Sequence, residues 1–254
     1  MNRRRAWQLL ALTTGLVVAL TTSVLWLRGV VQQQYDHTSV YQQQLTSLTV
    51  YATSADVEID QGPAGQVTVA QQLTWTATRP TVEIDRAPGS MRIVVQCDDY
   101  GPISSFDCGV QLRIEVPPTA SVTANSDSGD ITARQLAGPL NLQSDSGDVE
   151  LDRVSGRATV LTTSGPINGN GLLSSDVDTE SSSGPVDLGF TGVPLRVLAK
   201  TTSGPIELDL PPGSHYRVSG SSTSGPRDVQ NGLDDPSAAG SVRADSTSGP
   251  VDID

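Results

Sequence analysis

The residues best placed to do chemistry are acidic side chains in two copies of the segment SDSGD, which begin at Ser126 and Ser144. Grouped carboxylate oxygens are the ligands that calcium prefers in proteins. If the two segments lie side by side, they predict a calcium cluster; the alternative is an acidic turn solvated by water. The nonapeptide typical of calcium-binding β-rolls is missing from the sequence. The four candidate ligands are Asp127, Asp130, Asp145 and Asp148.

The remaining reactive residues are two histidines and two cysteines. His37 and His215 stand far apart, and neither a GxSxG motif nor a phosphate-loop signature occurs, so we do not predict an enzyme. A carboxylate-based enzyme acting on polysaccharides stays as an alternative. Cys97 and Cys108 bracket a turn-rich segment, DDYGPISSFD. An even pair of this kind in an oxidising compartment predicts a disulfide, with two free thiols as the alternative.

The elements that position these residues begin with a membrane segment. An uncharged stretch of 22 residues runs from Ala6 to Leu27, and about 20 apolar residues span a bilayer core. Three arginines before it predict a cytoplasmic N-terminus and an extracellular C-terminal part. A cleaved signal peptide is the alternative, although a small-residue cleavage site is poorly matched. The sequence thus predicts a single-pass protein of the cell membrane with a cytoplasmic segment 1–5, a transmembrane signal anchor 6–28 and a juxtamembrane spacer 29–45.

A repeat dominates the rest of the chain: the dipeptide Ser-Gly followed by Asp or Pro. Its glycines are spaced by 18, 18, 19, 20, 21 and 24 residues, and an aliphatic residue stands seven positions before each one. A near-constant period of this size predicts stacked units. A flexible Ser-Gly-Pro linker would not need the aliphatic column. We therefore predict an all-β fold, a β-solenoid of coils of about 18–24 residues, with corners at Gly129, Gly147, Gly165, Gly184, Gly204, Gly225 and Gly249.

Stacking gives each repeated residue type an expected role. We expect the coils to follow one another in sequence order, with each corner glycine at positive φ where a Cβ would clash. The Ser/Thr column three residues before the glycine and the serine directly before it should both face inward. Proline after the glycine removes an amide that the corner cannot pair. Arg227 interrupts an aliphatic column, so its coil should be irregular.

The two ends of the predicted stack differ. Residues 46–116 alternate as strands do and are interpreted as less regular coils or a cap that starts the solenoid, whereas 117–254 form its regular part. The last residues, VDID, show no evident cap. Asp252 and Asp254 are expected to point outward from this open edge, where their charge would disfavour pairing with another chain. An open edge invites pairing with another chain, so edge-to-edge self-association is expected.

The acidic composition limits the classes of partner that the chain is expected to bind. The 254 residues carry a net charge of −12, and residues 36–254 alone carry −16. An isoelectric point near 4.4 excludes a typical nucleic-acid binder. Such a charge favours basic partners or cations over anionic polymers.

These features together resemble a known bacterial family. The basic and apolar start, the segment IEVPPTASV and the repeated S-x-S-G-D-[IV] are similar to the "putative adhesin" domains of unknown function, which include YvlB-like and LiaG-like proteins. The resemblance implies a β-solenoid at the cell envelope and no catalytic residues. The expected function is a non-catalytic, membrane-anchored scaffold or interaction module without a cofactor, whose partner is an envelope protein or a glycan. A calcium-stabilised adhesin is the first alternative.

Overall fold

The computed structural model describes residues 13–22, 33–76, 78–97 and 108–254. Residues 13–22 are helical, and among the described residues no helix is long and apolar enough to cross a membrane. The rest of the predicted anchor lies outside the described residues. The strands are β1 (Gln33–Gln42), β2 (Ser47–Ala52), β3 (Ala55–Gln61), β4 (Gln66–Trp75), β5 (Thr81–Ala87), β6 (Ser90–Gln96), β7 (Gly109–Val116), β8 (Ser121–Ser126), β9 (Ile131–Arg134), β10 (Leu140–Ser144), β11 (Val149–Asp152), β12 (Ala158–Thr162), β13 (Ile167–Leu172), β14 (Asp176–Ser181), β15 (Val186–Phe190), β16 (Arg196–Thr201), β17 (Ile206–Asp209), β18 (Tyr216–Ser219), β19 (Arg227–Val229), β20 (Gly240–Ser246) and β21 (Val251–Ile253).

The strands form two sheets that face each other across one apolar core. Sheet A has eleven strands in the order β1-β4-β7-β3-β9-β11-β13-β15-β17-β21-β19, and sheet B has ten in the order β18-β20-β16-β14-β12-β10-β8-β2-β6-β5. Each regular coil contributes one strand to each sheet, joined by the Ser-Gly corner. The all-β prediction is confirmed.

The regular coils pair in parallel and in register. Val149 lies between Ile131 and Ile167 in sheet A, and Leu140 lies between Val122 and Ala158 in sheet B. These six side chains are at most 3% exposed. Since strand residues alternate between faces, this register turns each aliphatic column of the repeat into a continuous buried row.

The first part of the stack is built differently. The six alternating segments of 46–116 form β2 to β7, and β2 and β3 join the parallel stack directly. β4 pairs antiparallel with both β7 and β1, and β5 pairs antiparallel with β6. Residues 33–42, which the sequence assigned to a spacer, are therefore the edge strand of sheet A. Their alternating pattern QQYDHTSVYQ lets Tyr35 and Tyr41 pack against the core.

The expected order of the coils is wrong at the C-terminal end. β20 and β21 lie between the coil of β16 and β17 and the coil of β18 and β19. The coil of β18 and β19 suits the end because Arg227 replaces an aliphatic residue there and Val218 and Val229 are only half-buried. A terminal coil buries one side only, so the coil with the weakest apolar columns occupies it. Asp252 and Asp254 consequently do not guard an open edge.

Candidate functional site

The corner glycines lie directly above one another, but their backbone does not have the predicted positive φ; the left-handed glycines of the described chain lie elsewhere. Glycine is required for another reason. A Cβ on Gly147 would overlap the carbonyl oxygen of Gly129, and a Cβ on Gly165 would overlap that of Gly147. In the last three coils the corner glycines are stacked in the order Gly204, Gly249, Gly225. The small residue thus permits close stacking of backbones.

The hydroxyl column three residues before the glycine closes each corner. Ser144 Oγ accepts a hydrogen bond from the Gly147 N–H at 2.9 Å, and Ser246 Oγ does the same for Gly249 at 2.8 Å. Ser246 Oγ also donates to the Gly204 carbonyl in the coil below, at 3.1 Å. These hydroxyls are buried, and they bond to backbone groups. The serine directly before each glycine is exposed, contrary to expectation, because the chain has already left the strand.

The residue after the corner glycine is Asp at the first two corners and Pro at the following five, and both serve the same structural purpose. The Asp148 N–H donates to Asp130 Oδ1 at 2.9 Å, and the Asp130 N–H donates to Asp56 Oδ1 at 3.2 Å. In the next coil Pro166 stands at this place and has no N–H to satisfy. Aspartate and proline therefore solve the same problem, which is a backbone donor that the corner leaves unpaired.

This arrangement bears on the candidate calcium ligands. Asp130 and Asp148 are brought together, and burial, together with the charge of Asp130, raises the pKa of Asp148. Asp127 and Asp145 are exposed and use their backbone N–H groups to bond to the preceding coil. Within the described residues, no three acidic, histidine or cysteine side chains are grouped to hold a metal ion. The calcium alternative gains no support from this geometry.

An acidic row lies on the outer face of sheet A. Glu207 lies directly between Asp187 and Asp252, and Asp228 follows Asp252. The charge of Asp187 raises the pKa of Glu207, with smaller contributions from burial and other carboxylates. Burial and the charge of Asp209 raise the pKa of Asp187. Like charges directly opposite one another destabilise a sheet.

We expect Glu207→Gln to raise the free energy of unfolding at pH 7 by about 0.5 kcal/mol, a small value because the row faces solvent. Since the pKa of Glu207 is raised in the folded state, its protonated form favours folding, and this contribution is lost as the pH rises through that pKa. The advantage of the variant should therefore shrink as the pH is lowered from 7 towards 4. Urea unfolding at both pH values measures it.

Glu150→Gln is the matched control for this substitution. Glu150 occupies the same position in its coil, but its cross-strand neighbours are Thr132 and Asn168, which are uncharged. We expect little change in its unfolding free energy at either pH. Equal stabilisation by both substitutions would contradict an origin in repulsion along the row.

A polar groove of about 720 Å³ crosses the outer face of sheet A at the N-terminal end. Glu58 lies in it and bridges two guanidinium groups: Arg113 Nε donates to Glu58 Oε2 at 2.7 Å, and Arg134 pairs with the same carboxylate. Burial raises the pKa of nearby Asp60, while Arg113 opposes this shift. The sequence did not predict this groove, because β1, which forms one of its walls, was assigned to the juxtamembrane spacer. The alternating pattern of residues 33–42 was the signal that could have identified β1 as a strand.

The other candidate reactive residues do not converge. His37 Nε2 lies 3.0 Å from Ser39 Oγ on β1, whereas His215 Nδ1 lies 2.8 Å from the Gly232 carbonyl beside β18. These strands are edges at opposite ends of the stack. Cys97 and Cys108 are joined as a disulfide, which ties the end of β6 in sheet B to the start of β7 in sheet A.

The stacked Ser-Gly corners correspond to a known family. Residues 111–254, more than half of the chain, match the family model described as Toastrack DUF4097. The chain belongs to the Toastrack DUF4097 family. The resemblance inferred from the Ser-Gly-Asp repeats is thereby confirmed, and the match covers the regular part of this Toastrack chain together with most of β7.

Three solved structures are similar to the Toastrack chain. A putative cell adhesion protein from Clostridium sporogenes is 10% identical, covers 87% of this chain and 99% of its own, and has a TM-score of 0.45. A putative adhesin from Bacteroides fragilis is 11% identical, with coverages of 87% and 97% and a TM-score of 0.43. A putative lipid binding protein from Parabacteroides distasonis is 12% identical, with coverages of 86% and 97% and a TM-score of 0.33. No curated protein matches the chain.

Proposed function

We propose that this Toastrack chain is a non-catalytic interaction module of the bacterial cell envelope, anchored by its N-terminal segment and extended outside the cell. The observation that carries this proposal is the continuous, in-register stack. Its inward rows are filled by aliphatic side chains, so its outward rows are held on two rigid surfaces available to partners. Family membership supports the same proposal, because the resemblance brings no catalytic residues with it.

The base of the stack fits a position beside a membrane. β1 begins five residues after Arg28, and five extended residues reach at most about 17 Å. At this end Arg79 lies over the rings of Tyr35 and Trp75, and Arg86 lies over Tyr41. Tyrosine and tryptophan are enriched at membrane–water interfaces. This composition supports an orientation with the β1 edge towards the bilayer.

Fractionation of a bacterial host that expresses the full chain tests the proposal. We expect the chain to stay in the membrane pellet after alkaline extraction and to be cleaved by protease added to cells whose outer layers have been removed. A variant lacking residues 6–28 is the control and should leave the membrane fraction. Recovery of the full chain in the soluble fraction, or its complete protection from external protease, would overturn the proposal.

A further inference from the structure

Over four adjacent strands of sheet B, the outer face of the stack differs in charge from the outer face of sheet A. In sheet A, the outward residues of β3 are Asp56, Glu58 and Asp60. In sheet B, the corresponding face of β2, β8, β10 and β12 carries no charged side chain on any of these four described strands. We call this surface the neutral face. It is an exception in a chain whose residues 36–254 carry −16.

The neutral face is an ordered array. One row runs through Thr49, Thr123, Asn141 and Thr159, which are paired strand by strand. A second row begins at Tyr51, which is 41% exposed, continues through Asn125 and Gln143, and ends at the apolar Leu161, which is 42% exposed. Successive members are separated by the strand spacing of about 4.8 Å.

Charged residues mark the limits of the neutral face. Arg92 stands opposite Thr49 on the β6 side, and Asp178 stands opposite Thr159 on the β14 side. The array therefore covers four strands and ends abruptly at both borders.

The polar groups of the array are free to bind a ligand. Within the described chain, the side chains of Thr123, Asn141, Gln143 and Thr159 make no hydrogen bond to protein groups, whereas hydroxyls at the corners are fully engaged. Amides and hydroxyls both donate and accept hydrogen bonds without carrying charge. A depression of about 310 Å³ lies over Thr123, Asn141 and Thr159, a volume at the lower end of the range for ligand sites. Arg157, which pairs with Asp176 at 3.5 Å, also lines this depression.

We propose that the neutral face binds an uncharged, hydroxyl-rich polysaccharide chain laid along the stack axis. Sugar hydroxyls are uncharged donors and acceptors, as the side chains of the array are, and the length of one hexose in an extended chain is close to the strand spacing. Tyr51 stands at one end of the array, 41% exposed, with the Arg92 guanidinium carbon 5.0 Å from its ring centroid. An anionic polymer would be repelled by the net charge of −16 on residues 36–254. This inference rests on the proposed role as an interaction module and names its ligand class.

A second copy of the chain fits this surface less well. Four strands about 4.8 Å apart and two rows about 7 Å apart cover only a few hundred Å², whereas a stable protein interface buries about 800 Å² on each partner. Extending the contact would bring Asp178 and its acidic neighbours against the same residues of the other copy. A narrow linear polymer needs only the neutral strip.

The full chain, kept in a zwitterionic detergent without a sugar head group, tests the inference by affinity electrophoresis. The probes are dextran, a soluble β-1,3-glucan and mannan, with alginate as the anionic probe. We expect retardation by at least one neutral probe and none by alginate. Asn141→Asp should weaken this binding at least tenfold, because it places a carboxylate in the middle of the row, and Asn141→Ala should weaken it less.

Thr38→Asp is the control, since Thr38 is an exposed residue on the outer face of sheet A and its cross-strand neighbour, Ala70, is uncharged. It should bind as the parent does, and circular dichroism should show all variants folded. Lack of retardation by all three neutral probes, equal loss in the control, retardation by alginate, or a dimer in light scattering that Asn141→Asp abolishes would each overturn the inference. Such a failure with normal membrane fractionation would leave the proposed function intact. Glycan binding by a chain that fails fractionation would overturn the proposed function as an anchored envelope module and leave the glycan-binding inference intact.

Discussion

Replacing Gly147 with alanine is expected to lower the free energy of unfolding by at least about 3 kcal/mol, the upper part of the range for overpacked sites. The added Cβ would overlap the Gly129 carbonyl oxygen, which is backbone and cannot rotate away. Relief requires separating two coils, and this would stretch the hydrogen bonds on both sides of the corner. Urea unfolding followed by far-UV circular dichroism measures the loss.

Gly189→Ala is the control for this prediction. Gly189 lies on β15 in the same stack, but its Cβ would stand 3.6 Å from the Gly169 carbonyl oxygen, an ordinary contact. We expect a change within about 0.5 kcal/mol, or a small gain because alanine restricts the unfolded chain. A similar loss at Gly147 and Gly189 would show that close stacking at the corners does not explain the repeated glycine.

Val251→Asp is expected to destabilise the protein by about 4 kcal/mol, far more than Val229→Asp, which should cost about 1 kcal/mol. Val251 is 1% exposed on β21 and is covered by a strand on each side, so the new carboxylate would be buried without a partner. Val229 lies on β19, the end strand, and is only half-buried. The same unfolding measurement compares the two variants.

The two substitutions distinguish the observed coil order from an order that follows the sequence. In a sequential stack, Val251 would lie on the open terminal coil and Val229 would lie inside, so the ranking of the two losses would reverse. Equal losses would also contradict the structure, because a carboxylate on an end coil can reach water. Val229→Asp is the comparison variant, since Val229 follows a Ser-Gly-Pro corner as Val251 does and pairs with Ile253 of β21, the strand that holds Val251.

Within a coil, the sequence was enough to predict the strands, the corners and the buried rows, but not the φ of the corner glycine or the exposure of the serine before it. The aliphatic columns identified the buried rows, and the Ser-Gly spacing located the corners. Both predictions succeed because side chains alternate between the two faces of a strand, and a stack repeats this pattern in each coil. The hydroxyl column before Gly147 and Gly249 was also correctly expected to face inward. Its partners could not be predicted, because the choice between a neighbouring hydroxyl and a backbone group depends on distances of a few tenths of an ångström.

The candidate binding surface was harder to predict than the fold. Thr123 and Asn141 are ordinary exposed strand residues when they are considered one coil at a time. Their lack of charge becomes meaningful only when four strands are placed side by side, with Thr49 reached from 74 positions earlier in the chain than Thr123. Residues this far apart in sequence give no local pattern, and the antiparallel strand β1 escaped for the same reason, since its partner β4 lies outside the repeat.

Local patterning therefore specified the all-β class, the coil and its apolar interior, since these depend on contacts between residues that repeat at one fixed spacing. The order of the last coils, the role of β1 as an edge strand and the contrast between a charged and a neutral face depend on which coil lies beside which. Neighbouring coils present nearly identical ladders of backbone groups and aliphatic side chains, so several orders satisfy the pattern equally well. Burial decides among these orders. The coil with Arg227 and two half-buried valines lies at the end, where one of its sides faces solvent. The coil with Val251 and Ile253, whose aliphatic columns are complete, lies inside, where both residues are buried.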